Sequence, residues 1–185
     1  MLSVKYNKTV GENRYSSMKV ILYMALSANG LIAKSDDDTS WISKEEWASY
    51  SAAVRRAGCL IVGRRTYHIL TRQPEFAELA SAKLIIVSAD DFETQAANHF
   101  IAHSPEDALK LAGDFTEVIV AGGGILNASF LALNLVDEIY LDIEPIVLGT
   151  GIPLFQGKDF ERKLRLIGQK RIADNEIQLH YEVLK

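Results

Sequence analysis

Apolar residues arrive along this chain in short dense runs, separated by stretches where they recur every three or four positions. "KVILYMAL", Lys19 to Leu26, is almost continuously apolar, the mark of a strand covered on both faces. "SANGLIA" follows, with a turn at Asn29-Gly30, and then an acidic loop, Asp36, Asp37 and Asp38. A helix is predicted from Ser43 to about Ala57, stopped by Gly58. "CLIVG", Cys59 to Gly63, is a second buried strand and leads into a short helical start, "RRTYHIL", ahead of Pro74. "KLIIVS", Lys83 to Ser88, is a third strand. "HFIAHSPEDALKLAG" reads as a short strand and then a helix, with Ser104 as its N-cap, Pro105 at its first position and Gly113 at its end.

"EVIVA" is a fifth strand, and three glycines after it open another helix. "VDEIYLDIEPIVLG" is a longer strand broken at Pro145. "KLRLIGQKRI" and "EIQLHYEVL" form a hairpin across Ala173-Asp174-Asn175, where Ile177, Leu179, Tyr181 and Val183 alternate as in a half-buried strand. Strands alternating with helices predict a three-layer α/β domain: a mostly parallel central sheet, helices on both faces, and an antiparallel C-terminal hairpin. Residues 1–17 are polar and without period and read as a flexible extension; one domain covers 18–185.

Composition narrows this little. The chain has 185 residues, 48% hydrophobic and 24% charged, and a net charge of −4 that argues against a nucleic-acid surface. Its apolar runs are far short of the roughly 20 residues that span a bilayer, so no membrane partner is expected. One cysteine, Cys59, excludes an internal disulfide and fits the reducing cytoplasm.

Three loops at strand ends carry candidate chemistry. In "VIVAGGGILN", Gly122, Gly123 and Gly124 bring bare backbone to a helix N-terminus, where a diphosphate is favoured. A tight packing turn accounts for the same glycines, and the residues alone leave both readings open. The stretch is not a full G-x-G-x-x-G fingerprint, since Asn127 stands where the third glycine belongs. In "VGRRTY", Arg64, Arg65 and Thr66 follow Gly63 at a helix start, and guanidinium groups match phosphate oxygens in fork geometry. "SANGLIA" is placed to cover a planar ring, with Ser27 and Asn29 as candidate substrate contacts.

Taken in order, "MALSANGLIA", "IVGRRTY" and "VIVAGGGILNASFLALNLVDEIYLDIEPIVLGTGIPLF" resemble the dihydrofolate reductase-like superfamily. They are most similar to the reductase domain of the riboflavin-biosynthesis deaminase-reductases and their stand-alone relatives. The resemblance implies that fold, a homodimer joined through the apolar late strands, and hydride transfer from NADPH to a small heterocyclic or sugar-linked substrate. It also implies that Ala25 and Ile32 flank the nicotinamide and that Gly63, Arg64, Arg65 and Thr66 hold adenosine-side phosphates. Gly122, Gly123, Gly124, Ile125 and Leu126 would hold the diphosphate, with Ser88 near the adenosine ribose. Asp90 and Asp91 would repel a 2′-phosphate there, which leaves NADH open beside NADPH. The reaction implied is like reduction of 5-amino-6-(5-phosphoribosylamino)uracil, but the substrate side departs from that family. Ala121 stands where those enzymes carry Glu and Tyr23 where they carry Lys, while Ala82 replaces the folate-tail Arg of the folate reductases.

Hydride transfer to C=N or C=O also needs a proton. The folate-reducing relatives carry a carboxylate five residues past a Trp, and Trp41 plus five is Glu46. Ser43-Lys44-Glu45-Glu46 is equally a capping box, with Ile42 and Trp47 as a hydrophobic staple. Asp142 is a second candidate acid, although its alternation with Glu138, Tyr140 and Glu144 also fits a solvent-facing polar face. Water is a third proton source. His99 and His103 straddle a predicted strand and loop, so no metal set is expected, and no nucleophile elbow suggests a hydrolase. A nucleotide-binding module without turnover and a divergent dihydrofolate reductase are the competing functions.

Overall fold

The computed structural model describes residues 18–185; the expected extension lies outside the described residues. Lys19–Ser27 forms β1, Leu31–Ala33 β2, Lys44–Ala57 α1, Cys59–Gly63 β3 and Arg64–Leu70 α2. A 3-10 turn at Pro74–Leu79 precedes β4 (Lys83–Val87), β5 (His99–Ala102), α3 (Pro105–Ala112), β6 (Glu117–Val120) and α4 (Gly124–Ala132). The chain ends with β7 (Glu138–Glu144), β8 (Ile152–Pro153), β9 (Lys163–Ala173) and β10 (Glu176–Leu184). The helix starts follow the predicted caps: Ser43 accepts from the Glu46 N–H, and Ser104 from the Asp107 N–H.

Eight strands build one sheet in the order β5-β4-β3-β6-β1-β7-β10-β9. Every pairing from β5 through β7 is parallel, and β10 then runs antiparallel to both β7 and β9. Alternate side chains on the parallel strands feed two separate cores. Val20, Leu22, Ile61 and Ile85 pack under α3 and α4, while Ile21, Leu60, Val62 and Ile86 pack under α1 and α2. Each such fully buried aliphatic side chain stabilises the fold by roughly 1.5–3 kcal/mol.

Two features differ from the sequence reading. β2 and β8 pair as a small separate ribbon that is too short to show a period. On β10 the buried positions at its start are Glu176 and Gln178, while Ile177 is 39% exposed. The polarity is inverted there because this end of the strand lies beside the N-terminus of α1, where Ser43 and Ser49 supply hydrogen-bond partners. The apolar phase returns at Val183, after a register shift at His180/Tyr181.

Candidate active site

β6 is inserted between β1 and β3, and a cavity of about 1070 Å³ opens at the carboxyl ends of these strands. This is where open α/β sheets bind ligands. One wall is main chain. Gly63 and Val87 end their strands on it, Ala25 lies near the end of β1 and Ala121 just after β6, and the first residues of α2 and α4 line it. The Gly63 N–H donates to the Gly122 carbonyl at 2.8 Å and locks the β3 and β6 corners together.

The three glycines differ in what holds them. Gly122 has φ +84°, and a Cβ there would press on Met24 at 3.2 Å. A Cβ on Gly124 would collide with the Pro153 carbonyl. A Cβ on Gly123 meets nothing closer than the Thr66 hydroxyl at 3.5 Å, an ordinary contact, and its φ of −75° suits any residue. Packing therefore explains the outer two glycines, and the middle one is left bare toward the cavity. Gly123 is also the N-cap of α4, and no side chain caps that helix. Packing thus holds this turn, and the helix start that it presents to the cavity has no side-chain cap.

Ile32, Arg64, Arg65, Thr66, Ile125 and Leu126 line the same cavity. Each arginine faces an acid: Arg65 Nε donates to Asp37 Oδ2 at 2.8 Å, and Arg64 lies 3.9 Å from Asp90 and over the Phe92 ring. Three expected contacts do not reach the cavity lining. Ser88 is buried, with its hydroxyl donating to the Asp90 carbonyl, and Val87 takes its place on the wall. The Ser27 hydroxyl donates to Asn29 Oδ1 and accepts from the Leu31 N–H. Asn29 in turn exchanges two hydrogen bonds with the Leu148 backbone. Ser27 and Asn29 thus stitch the β1–β2 turn to the loop before β8, and their polar groups are used up in that task.

The facing wall is built from side chains, with Glu46, Trp47 and Tyr50 of α1 beside Tyr23 of β1. Glu46 is 4% exposed. Burial pushes its carboxyl well above the usual carboxylate range, and the charges of Asp142, Glu144 and Glu176 add to the effect. Among the described residues none donates a hydrogen bond to that carboxyl. The capping box is only half made: the Ser43 hydroxyl accepts from the Glu46 N–H, but the Ser43 N–H donates to Glu144. The Tyr50 hydroxyl and Trp47 Nε1 are buried next to it, also without partners.

Asp142 does not line this cavity. Its two oxygens accept from the Tyr23 hydroxyl and from Gln178 Nε2, each at 2.7 Å. Burial pushes its carboxyl up to about 6 despite those donors. The polar face of β7 at Asp142 and Glu144 is turned to α1 and buried, not to solvent. A smaller cavity of about 350 Å³ lies behind it, lined by Tyr23, Ser49, Gln178 and His180. Sequence reasoning missed Tyr50, Glu176 and Gln178 as members of this region. The signal available was Glu176 and Gln178 at alternate positions of a strand whose neighbour carries Asp142 and Glu144.

A mostly parallel sheet with an antiparallel C-terminal edge, opening at its strand ends on a cavity between a glycine corner and a buried acid, is a dihydrofolate reductase-like α/β domain. The chain belongs to the RibD C-terminal domain family, whose model matches residues 18–178. It is 31% identical over 175 residues to the uncharacterized protein YwjB of Bacillus subtilis (strain 168), covering 88% of this chain and 97% of that one. Dihydrofolate reductase type 1 of Escherichia coli is 32% identical over 132 residues, 69% of this chain and 78% of that enzyme. The Thermotoga maritima diaminohydroxyphosphoribosylaminopyrimidine deaminase/5-amino-6-(5-phosphoribosylamino)uracil reductase shares the fold, with a TM-score of 0.68 at 15% identity. That match covers 91% of this chain and 57% of the Thermotoga one. The family and the dihydrofolate reductase relative make this a reductase-type domain. Among the described residues no helix is long and apolar enough to cross a membrane.

Proposed function

We propose that this chain is an NADPH-dependent reductase of a small planar heterocycle, with Glu46 as its proton donor. The observation that carries the reading is the Glu46 carboxyl, buried, relieved of capping and facing a bare-backbone corner across one cavity. The dinucleotide fits the residues present: the uncapped start of α4 and the unfilled space at Gly123 suit a pyrophosphate. When bound, the cofactor supplies the hydride.

The chain's own groups do the rest. Backbone N–H groups of Gly123 to Leu126 hold the diphosphate, and Ala25 and Ile32 flank the ring. Arg64 and Arg65 exchange Asp90 and Asp37 for phosphate oxygens, and Asp90 with Asp91 keeps NADH in contention. Burial and the neighbouring acids raise the Glu46 carboxyl, which favours the protonated form that can donate at the atom next to the carbon that takes hydride. The unpartnered Tyr50 hydroxyl and Trp47 Nε1 suit the polar edge of a heterocycle. The relative named as a dihydrofolate reductase favours a pterin as the second reading, ahead of a phosphoribosylamino-pyrimidine. We read the protein as cytoplasmic and dimeric, with Leu164, Leu166 and Ile167 exposed on the edge strand β9 in support of a homodimer.

Fluorescence of the reduced ring, followed while NADPH and NADH are titrated in, tests cofactor binding; no binding of either at high micromolar concentration rejects the proposal. Oxidation of the bound form by a panel of pterins and pyrimidines, dihydrofolate included, then identifies the acceptor. E46Q is expected to lower turnover by about 10²-fold or more and to leave cofactor affinity within about twofold, or roughly 0.4 kcal/mol. Undiminished turnover in E46Q would assign the proton to water.

A further inference from the structure

Glu46 stands three residues after the α1 cap residue Ser43, the spacing at which a glutamate reaches back to the serine's own N–H. Here that reach is not made. The Ser43 N–H donates to Glu144 Oε1 at 2.8 Å, and the Ser43 hydroxyl donates to Glu176 Oε2 at 2.8 Å while accepting from the Glu46 N–H at 2.9 Å. Glu144 comes from β7 and is 3% exposed; Glu176 comes from β10 and is 9% exposed. Neither residue lines the large cavity. The cap is therefore completed by a distant strand although a local group of the right type was available. Gathering buried carboxylates in this way costs stability, because like charges are brought together out of water.

We propose that Glu144 is a positioning residue: by holding the Ser43 N–H it keeps the Glu46 carboxyl off the helix cap and available to the cleft. The inference rests on the reading of Glu46 as the proton donor. A carboxyl that accepts a backbone N–H is favoured in its ionised form, and one denied that donor is not. The groups facing Glu46 act in the same direction. Burial acts first, then the charges of Asp142 and Glu144 from β7 and Glu176 from β10; Tyr23 from β1 and Tyr50 from α1 also face Glu46 and are themselves raised by it. Glu144 thus works twice, by removing the donor that would ionise Glu46 and by adding a like charge beside it.

Two substitutions separate these effects. E144A removes the acceptor, so the Ser43 N–H is left to Glu46, which turns onto the cap. E144Q keeps an acceptor oxygen and removes only the charge. Infrared difference titration of the ligand-free chain reads the Glu46 carboxyl directly, its band being assigned by its loss in E46Q, and no turnover is needed. The band is expected to persist above the ordinary carboxylate range in the unsubstituted protein. Its midpoint should fall by about one pH unit or more in E144A and by less in E144Q. In reduction assays the basic limb of the pH profile should move by the same amount.

An E144A midpoint equal to that of the unsubstituted protein overturns the proposal. Should circular dichroism show E144A unfolded, E144M, which fills the same space without an acceptor for the Ser43 N–H, takes its place, and an unmoved midpoint there overturns the proposal instead. The two readings fail separately. Lost turnover in E46Q with an unmoved E144A midpoint keeps the proton donor and removes the positioning role. Full turnover in E46Q with a shifted midpoint does the reverse.

Discussion

The two walls of the cleft are made by opposite means. The glycine corner is main chain: Gly122, Gly123 and Gly124 are consecutive, and the strand and helix that hold them are adjacent in sequence. The acid wall is side chain: Glu46 comes from α1 and Tyr23 from β1, and Asp142 and Glu144 of β7 and Glu176 of β10 are buried behind them, outside the cavity lining. A phosphate is held by backbone N–H groups that any residue with room would offer. A proton donor must instead be tuned by burial and by neighbouring charges, and those neighbours converge only after the sheet has formed. The first wall depends on the small size of its residues, because each added Cβ meets a neighbour or fills the space on the cavity side. The second depends on four acids staying in register.

The sharpest way to break the comparison is inside the corner itself. G124A should cost about 3 kcal/mol, because its Cβ would overlap the Pro153 carbonyl, a backbone group that cannot swing aside as a flexible side chain can. G123A meets only the Thr66 hydroxyl at 3.5 Å, so its stability should stay within about 1 kcal/mol. Dinucleotide affinity should nonetheless drop about tenfold in G123A, since the methyl stands where the pyrophosphate approaches. Thermal melts paired with fluorescence titration check both variants. If G123A binds as well as the unsubstituted protein, the corner is a packing turn and no more.

The fold was legible because its strands are dense apolar runs with capped helices between them: Ser43, Gly58, Ser104 and Gly113 bound α1 and α3 as read. The glycine corner, Arg64, Arg65 and Thr66 were legible for the same local reason. Ser27, Asn29 and Ser88 looked equally suitable, but short polar side chains at strand ends bond to nearby backbone first, and these three do. Glu46 was legible as a residue but not in its state, because a capping box and a free acid share one spacing. The Ser43 N–H goes to Glu144 instead, and nothing local ties residue 144 to residue 43. β2 and β8 were too short to carry any period.

The acid wall makes a second measurement possible, of moderate size. Glu46 has a raised carboxyl, so between its ordinary value near 4.5 and its higher folded value the folded chain keeps a proton that the unfolded chain releases. Stability from this group is full at low pH and declines as pH rises through that window. Asp142, pushed up to about 6, contributes a decline of the same sign between about 4 and 6. E46Q removes only the first decline. Its melting midpoint should match the unsubstituted protein near pH 4 and exceed it by about 3 °C at pH 7. Equal midpoints at both pH values would mean that Glu46 ionises freely, and the contrast between the two walls would lose its electrostatic half.

The smallest expected effect concerns the surface pair that spans the cleft mouth. Asp37 has φ 71°, its Oδ2 accepts from Arg65, and its Oδ1 is buried without a partner. Asn adopts this left-handed conformation as readily as Asp, so D37N keeps the loop while removing the charge. The Arg65 side chain is 67% exposed, and pairs of that kind are worth about 0–1 kcal/mol. A phosphate must displace Asp37 to reach Arg65, so D37N should tighten dinucleotide binding by about two- to fivefold, or roughly 0.4–1 kcal/mol. The pattern carries more information than the size. Equal gains for NADPH and NADH put the pyrophosphate on Arg65; a gain for NADPH alone puts the 2′-phosphate there. If D37N weakens both, Asp37 is not a stand-in for phosphate, and the main-chain corner holds its ligand without help from the arginines.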